Sequence, residues 1–424
     1  MTIILPFTNT RSGNNSPTES GGNLSVAAGT AAAWIESFAR YRRQPDDVFW
    51  LKENAELLSL LRVAGQRDAG ECAGGATGVG DSGGEVALAP LRPFYDGAAR
   101  QLQFFPQYYR FILSICLDYE DLTGTSGSAT ALAHWVATQG LVEGELSDLQ
   151  RAEVQQLLAR RGIVQPIDPG LVDRLRCFAR RSRTFAIPNR KAAYELTHIV
   201  FYLSDYGRRD PGLDDQARRS LIYAGILACL DQDLDLLSEI CIALRYCGAA
   251  PPPDWEHMLS SAHGQFILTP DGFDGRMDGY HTYFVTLWWQ VVHRQAEASV
   301  TDLLHTNLPT AGLPAAAGRA LHIAAPGAVS LLRPVSTWLM AAGDSPHLTA
   351  PMLWRQAVDH VAEHYGQNMR RQLIRLQNST AEFADFWRIF SRPGQASVQL
   401  SHIGAGGLGL MRGDQSMLRQ KPSG

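Results

Sequence analysis

The strongest constraint on the fold is a weak repeat of paired helices in the middle of the chain. Between residues 147 and 294, stretches with apolar residues three and four apart follow one another through short loops. The second stretch of each pair is the more apolar and aromatic. Glu195, Glu239 and His281 lie in the first halves of three such apolar stretches, separated by 44 and 42 residues. A period of this size indicates one helical hairpin per repeat.

The pattern predicts an all-α protein. No alternating apolar and polar strand of useful length is found. In an array of hairpins, inner helices are covered on most sides and outer helices are half solvated. We therefore expect an α/α-toroid-like array, incomplete or modified, with extra helices before and after it. The predicted helices of the array are 147–162, 170–184, 188–206, 214–230, 233–247, 254–266 and 279–294.

The length of 424 residues suits two or three domains or one large helical domain. Apolar spacing broken at Pro45 predicts two N-terminal helices, and runs rich in Gly and Ser predict a linker and disordered ends. The expected organisation is a disordered N-terminus (1–25), N-terminal helices (26–64), a Gly-rich linker (65–86), the hairpin core (87–300), a C-terminal helical part (301–400) and a disordered tail (401–424).

Composition excludes several classes of protein. A formal net charge of −4 argues against a strongly basic nucleic-acid-binding protein. No apolar run reaches about 18 residues, so no transmembrane helix is expected. The N-terminus lacks the pattern of a signal peptide, and none of the six cysteines forms a CxxC pair. These features predict a reduced, cytoplasmic protein.

Ionisable residues recur in the first halves of the apolar helices, where burial is costly unless they are paired, liganded or hydrated. If these helices run parallel, the residues converge at one end of a cavity. They are Glu195 and His198, three residues apart on one helix, Asp235 and Glu239, four apart on the next, and His281 at the start of a third.

Two chemistries fit this set. In the first, His198 and His281 with one carboxylate bind a divalent metal such as zinc, and the remaining carboxylates among Glu195, Asp235 and Glu239 act as acid or base. In the second, no metal is bound, and an apolar cavity raises the pKa of Glu195 or Asp235, with a histidine as partner.

Structural roles remain open for the same residues. Asp235 could stabilise the positive end of its helix, Glu195 and His198 could form a buried pair, and His281 could be a core histidine with its hydrogen bonds satisfied. Tyr280, Trp288 and Trp289 are candidates to bind the substrate, or they fill the core; these residues all lie on the predicted helix 279–294.

The segment from Gln265 to His293 resembles a repeat of the terpenoid cyclase and protein prenyltransferase α/α-toroid superfamily. The family's turn between an outer and an inner helix is matched by Pro270-Asp-Gly-Phe-Asp-Gly275, and Tyr280-His281-Thr282 matches the inner-helix start that holds its zinc histidine. No Asp-x-Cys pair begins a helix here, so the resemblance implies the fold and leaves the reaction open. The wider run over about residues 147–294 looks like uncharacterised bacterial helical proteins encoded beside natural-product genes.

The sequence thus predicts a biosynthetic enzyme that acts on an apolar or peptide-derived small molecule in a central cavity. Its expected partners are this substrate and a carrier or partner protein, with the oligomeric state left open. The alternative is a non-catalytic helical-repeat scaffold that binds a partner protein, a carrier domain or a ligand on a concave face.

Overall fold

The computed structural model describes residues 31–65, 88–164, 168–270, 278–295, 319–342 and 347–392. The segments predicted as disordered at 1–25 and 401–424 lie outside the described residues. So do the linker predicted at 65–86, beyond its first residue, and the turn after Pro270. Within the described residues, no helix combines the length and apolar character needed to span a bilayer.

The all-α class is confirmed, and the α/α-toroid arrangement stays a prediction. The described residues form two compact units, Met1–Val329 and Ser330–Gly424. The N-terminal helices therefore belong to the same unit as the predicted hairpin core, and the chain divides after residue 329. The boundary expected at 300/301 lies outside the described residues.

The helices of the first unit follow the predicted pattern. The N-terminal segment has α1 (Ala31–Glu36), extended by a π-helical turn (Ser37–Tyr41), and α2 (Val48–Gly65). The remaining helices are α3 (Arg92–Phe104), α4 (Tyr109–Thr123), α5 (Ser128–Thr138), α6 (Asp148–Ala159), α7 (Leu171–Ala179), α8 (Ser182–Phe185), α9 (Arg190–Leu203), α10 (Asp215–Asp231), α11 (Leu234–Tyr246), α12 (Pro253–His263) and α13 (Tyr280–Gln295).

Side-chain caps explain why several of these helices begin where the sequence predicts. Ser147, Asn189, Asp214 and Asp233 each precede a helix, and each accepts a hydrogen bond from a backbone N–H in its first turn. Such caps satisfy donors that have no partner within the helix and contribute about 1 kcal/mol each.

A small antiparallel sheet was not predicted. Strand β1 (Ile267–Pro270) pairs with β2 (Leu321–Ala324), with Ile267 opposite Ala324. Four residues are too few to show an alternating pattern, and the partner strand lies more than fifty residues away in the sequence, so local periodicity cannot reveal the pair.

A buried arginine fixes the start of α13 to the N-terminal helices. The Arg42 side chain is 2% exposed, and its Nε donates to Glu53 in α2 at 2.8 Å. The same guanidinium also donates to Asp278, two residues before α13, and to the Leu321 carbonyl in β2. Arg42 thus links α2 to the beginning of the helix that carries His281.

Four helices surround the pocket that contains the predicted site. Helix α9 packs on α11, α11 on α13, and α13 on α2. Residues early in α9, α11 and α13 meet at one end of the pocket, and residues late in these helices meet at the other. Tyr246, Phe201 and Trp288, for example, form an aromatic cluster with ring centroids 4.7 to 6.4 Å apart. The helices therefore run in the same direction, as the sequence argument requires.

The second unit contains α14 (Leu332–Ala342), α15 (Ala350–Tyr365), α16 (Gln367–Ser379) and α17 (Phe383–Ser391). Its own core is aromatic. Trp354 and Trp387 cross edge to face with ring centroids 4.8 Å apart, and Phe383, Phe386 and Phe390 are buried around them.

Candidate functional site

The centre of the site is His281, at the start of α13. Its Nδ1 lies 2.9 Å from Glu56 Oε2, and its Nε2 lies 3.3 Å from Asp235 Oδ1. Glu56 comes from α2 and Asp235 from the first turn of α11. Both carboxylates are largely buried, with side-chain exposures of 9% and 11%. Two carboxylates, from helices that are far apart in the sequence, therefore contact the two nitrogens of one imidazole.

The His281 imidazole and the two carboxylates shift one another's pKa values towards their charged forms. Burial lowers the pKa of His281, but the neighbouring Asp235 and Glu56 carboxylates outweigh it and hold the pKa well above its usual value. Burial is the largest single influence on Asp235 and Glu56 and raises the pKa of each. The His281 charge and hydrogen bond, with Tyr194 and Arg190 at Asp235 and Lys52 at Glu56, together outweigh it and lower both pKa values. In the metal-free site, His281 is therefore an imidazolium between two carboxylates.

Glu239 lies one turn after Asp235 on α11 and is 2% exposed. It accepts a hydrogen bond from the Thr197 hydroxyl at 2.5 Å, and Asp235 accepts one from the Tyr194 hydroxyl at 2.5 Å. Burial and the Asp235 charge raise the pKa of Glu239. The two carboxylates thus differ in character: Asp235 is held ionised, while Glu239 retains a proton more readily.

His198 lies beside Glu239, with its Nδ1 3.6 Å from Glu239 Oε2. This nitrogen also lies 2.8 Å from the Tyr194 carbonyl oxygen, to which it donates. Burial lowers the pKa of His198 to about 3, so the ring is neutral at pH 7. The hydrogen bond at Nδ1 selects the tautomer in which Nε2 carries the lone pair.

Asp235, Glu239 and His281 can together hold a metal ion. One donor atom from each lies within 4.8 Å of the others, so modest side-chain adjustment brings all three to about 2 Å from a common ion. Asp235 Oδ1 is buried, and its ion-pair contact is His281 Nε2 at 3.3 Å, so a metal ion would lie between these two atoms. The Glu56 carboxylate on Nδ1 would orient His281 in the way that carboxylates orient metal-binding histidines.

Glu56, His198, Glu239 and His281 line one end of a pocket that encloses about 540 Å³ of empty space, counting the solvent at its mouth, and Asp235 contacts His281 without lining it. The walls beyond them are mostly apolar and aromatic. The lining residues are Glu56, Ser59, Leu60, Val63, His198, Phe201, Tyr206, Glu239, His281, Phe284, Val285 and Trp288. A polar end and an apolar wall are typical of small-molecule sites.

The structure brings His198, Asp235, Glu239 and His281 together, as predicted, but it does not bring Glu195 to them. Glu195 is half-buried, its carboxylate lies 3.8 Å from Lys191 of the same helix, and it does not line the pocket. Residues three apart on a helix differ by about 60° around its axis. The side of α9 that faces the pocket therefore includes His198 and does not include Glu195.

Of the three aromatic residues predicted to bind the substrate, only one lines the pocket. Trp288 lines the pocket, and its Nε1 donates to the Tyr246 hydroxyl at 3.2 Å. Trp289 is buried on the side of α13 that faces α12, with its Nε1 3.4 Å from Glu256. Tyr280 packs its ring against Phe38 and Phe284. Tyr280 and Trp289 therefore belong to the core.

Glu56 is the residue of the site that sequence reasoning missed. It lies 225 positions before His281, on a helix predicted to be outside the hairpin core. One signal was present: the apolar stretch from Val48 to Leu61 contains Glu53, Asn54 and Glu56, and acidic residues in an apolar helix imply a partner.

Comparison with known proteins gives a family for the chain. The model of the family described as Domain of unknown function (DUF6902) matches residues 22–393, and the chain belongs to this family. No curated protein and no solved structure matches the chain. The matched range includes every residue of the site.

Proposed function

We propose that the protein is a biosynthetic enzyme that binds a divalent metal, such as zinc, through Asp235, Glu239 and His281. Its substrate is a small molecule with an apolar body, bound in the pocket. One observation supports this most strongly: three donor atoms from two helices lie within 4.8 Å of one another, and two of their residues, Glu239 and His281, line the polar end of an otherwise apolar pocket. A buried set of two carboxylates and one imidazole suits a divalent ion.

Each surrounding residue has a role in this proposal. Glu56 orients His281, and the Tyr194 and Thr197 hydroxyl groups orient Asp235 and Glu239. The neutral His198 can accept a hydrogen bond from a substrate or a water molecule at Nε2. A bound divalent ion would supply polarisation of a carbonyl group or activation of water. The aromatic wall excludes water and binds the apolar part of the substrate.

A metal-free acid–base enzyme is the second candidate, and the environment of Glu239 favours it. Its raised pKa allows a protonated carboxyl to donate, and the neutral His198, whose Nδ1 lies 3.6 Å away, can accept a hydrogen bond from the substrate at its other nitrogen, Nε2. Two groups whose surroundings push their pKa values in opposite directions form a natural acid–base pair. A scaffold that binds a partner protein is the remaining alternative.

Metal analysis of the purified full chain tests the proposal. We expect about one zinc ion per chain in the wild type, and a loss of at least tenfold in Asp235→Asn, Glu239→Gln and His281→Ala, since each removes a ligand. Glu195→Gln is the matched control, because it also neutralises a carboxylate in a helix of this pocket but lies outside the donor set. Its metal content should equal that of the wild type.

The results separate the three candidates. A wild type without stoichiometric metal after reconstitution with zinc, cobalt and manganese salts would refute the metal enzyme. In that case, loss of product formation in Glu239→Gln and His198→Ala would support acid–base chemistry. Unchanged product formation in both variants would support the remaining alternative, a non-catalytic scaffold that binds a partner protein.

A further inference from the structure

One face of α2 lines the pocket with two polar and two apolar residues. They are Glu56, Ser59, Leu60 and Val63, at the spacing of three and four that keeps side chains on one side of a helix. Glu56 and Ser59 lie about 4.5 Å apart along the helix axis. A ligand whose apolar body packs on Leu60 and Val63 would therefore have its polar end beside Glu56 and Ser59.

The Ser59 hydroxyl can only accept a hydrogen bond from a ligand. It donates its one proton to Asp118 Oδ2 at 3.1 Å. Asp118 is completely buried on α4, and its Oδ1 lies 2.8 Å from Arg62 Nε and 2.7 Å from Arg160 Nη2. A carboxylate paired with two guanidinium groups accepts hydrogen bonds and has no proton to donate. Ser59 therefore offers the pocket lone pairs and no O–H donor.

Glu56 supplies a second acceptor on the same face of α2. Its Oε2 lies 2.9 Å from His281 Nδ1, whereas its Oε1 is buried and accepts no hydrogen bond from the residues that the structure describes. Lys52 Nζ lies 3.7 Å from Oε1, which makes an ion pair but is too long for a hydrogen bond. A buried acceptor without a donor is costly, so a donor on the ligand would stabilise the site.

The charges around these acceptors favour a neutral ligand group. The Glu56 carboxylate is paired with both His281 and Lys52, so a further cation would gain little from it. The Asp118 carboxylate behind Ser59 is likewise paired with two arginines. The ligand group that fits is therefore an uncharged hydrogen-bond donor.

Two acceptors about one helical turn apart suit two donors on a single ligand atom. The hydrogens of a planar –NH2 group point about 120° apart, so the acceptors that they reach lie about 5 Å from each other. Side chains three residues apart on a helix begin about 5–6 Å apart, which matches this distance. A hydroxyl group has only one hydrogen and would leave one acceptor without a donor.

We propose that Ser59 and Glu56 bind the –NH2 group of a primary carboxamide, so that the substrate is a neutral amide with an apolar body. This inference rests on the proposed function, because it takes the pocket to be the substrate site. It makes Ser59 the residue that determines specificity at this position, since its hydroxyl accepts from an amide and offers nothing to a group without N–H or O–H.

Calorimetric titration of the full chain, freed of metal by dialysis against a chelator, tests this inference. Hexanamide and 2-heptanone share a tail and a carbonyl group and differ in an –NH2 or a methyl group, while hexylamine carries a positive charge at pH 7. We expect the wild type to bind hexanamide at least fivefold more tightly than either of the others, because one net hydrogen bond corresponds to about that factor. A wild type without this preference for hexanamide over 2-heptanone, or with tighter binding of hexylamine, would overturn the inference.

Variants of Ser59 assign the preference to its hydroxyl. Ser59→Ala should bind hexanamide about fivefold more weakly and 2-heptanone within twofold of the wild type. Ser59→Thr keeps the hydroxyl and should keep the preference for hexanamide. Ser260→Ala, at an exposed serine of α12, is the matched control and should leave both affinities unchanged. An undiminished preference for hexanamide in Ser59→Ala would refute the role of Ser59.

Failure of this inference can be distinguished from failure of the metal enzyme. The titration is carried out without metal, so a wild type that never binds metal would refute the metal enzyme and leave the expected preference for hexanamide unchanged. A wild type that binds zinc but does not prefer hexanamide to 2-heptanone would refute the amide assignment alone.

Discussion

His281 determines the chemistry of the site at the scale of single residues, because both of its ring nitrogens face carboxylates. The sequence identifies His281 and Glu239 as ionisable residues at a recurring period in apolar helices, and Asp235 because it shares a helix face with Glu239. It does not identify Glu56, because periodicity within the hairpin region carries no information about a partner 225 positions away. It also cannot show which face of α9 is turned inward, which is why Glu195 was misplaced.

Removing the charge of Glu56 should weaken metal binding without abolishing it. In Glu56→Gln, the amide can still accept from His281 Nδ1, but it stabilises the orientation and basicity of the imidazole less well. We expect a loss of about 10–100-fold in zinc affinity, as for other residues that support metal ligands. Competition titration with a zinc chelator measures it. Glu36→Gln, on α1, is the control and should bind zinc like the wild type.

His263, at the end of α12, should make stability depend on pH. Burial, together with the charge of Arg294, lowers the pKa of His263 to about 4. Its Nδ1 lies 2.8 Å from the Thr286 hydroxyl, and its ring stacks on Tyr283. Between pH 6.5 and pH 4, the unfolded chain binds a proton that the folded chain does not. The free energy of unfolding therefore falls as the pH is lowered through this range.

The variant His263→Asn removes this proton linkage while keeping a polar group near Thr286. Between pH 6.5 and pH 4.5, the wild type should lose about 1 kcal/mol more unfolding free energy than the variant, which is roughly half of the full proton linkage because the ring is partly exposed. Urea unfolding at several pH values measures it. The exposed His257→Gln serves as the control. Parallel pH profiles for the wild type and His263→Asn would contradict the assignment.

At the scale of elements, the close approach of α10 and α12 depends on one glycine. Gly225 is buried in the middle of α10, and a Cβ at this position would overlap the ring of Trp255. Trp255 is 1% exposed, so the ring has little room to move. Helix boundaries are predictable from caps and periodicity, but such a contact between two helices is not, because no local signal marks which residue faces the tryptophan.

Gly225→Ala should therefore destabilise the protein although alanine favours helices. Overpacking of a buried position costs about 1–3 kcal/mol. Gly97 in α3 is the matched control, because a Cβ there meets no atom within 4 Å. Gly97→Ala should stabilise the protein by about 0.5–1 kcal/mol through helix propensity. Urea unfolding of both variants measures these values, and changes of the same sign would refute the packing argument.

At the scale of the whole molecule, the chain consists of two compact units, and every pocket-lining residue belongs to the first. The repeat in the sequence predicts the order of three of the pocket helices, α9, α11 and α13, and their common direction was the condition on which the predicted site depended. It does not predict the division after Val329, because residues 330–392 form their core from aromatic residues that have no repeat relation to the hairpins.

Trp387→Ala should unfold the second unit selectively. The Trp387 ring is 2% exposed, packs on Trp354, and donates to the Ala350 carbonyl at 2.7 Å. Its removal should cost about 3–5 kcal/mol. We expect faster hydrogen exchange across 347–392 and unchanged metal content. Arg388→Ala, at an exposed position, should alter neither. Loss of metal from Trp387→Ala would show that the two units are not independent.

The bonds of Arg42 have a consequence for synthesis of the chain on the ribosome. Its partners Asp278 and Leu321 follow it by 236 and 279 residues. At about 5–20 residues per second, the nascent chain waits roughly 14–56 s between the appearance of Arg42 and that of its last partner. During this interval, α13 and β2 have not all been synthesised, so they cannot cover the apolar helix α2. We therefore expect the segment 31–65 to need a chaperone until Leu321, about three quarters of the way along the sequence, has been synthesised.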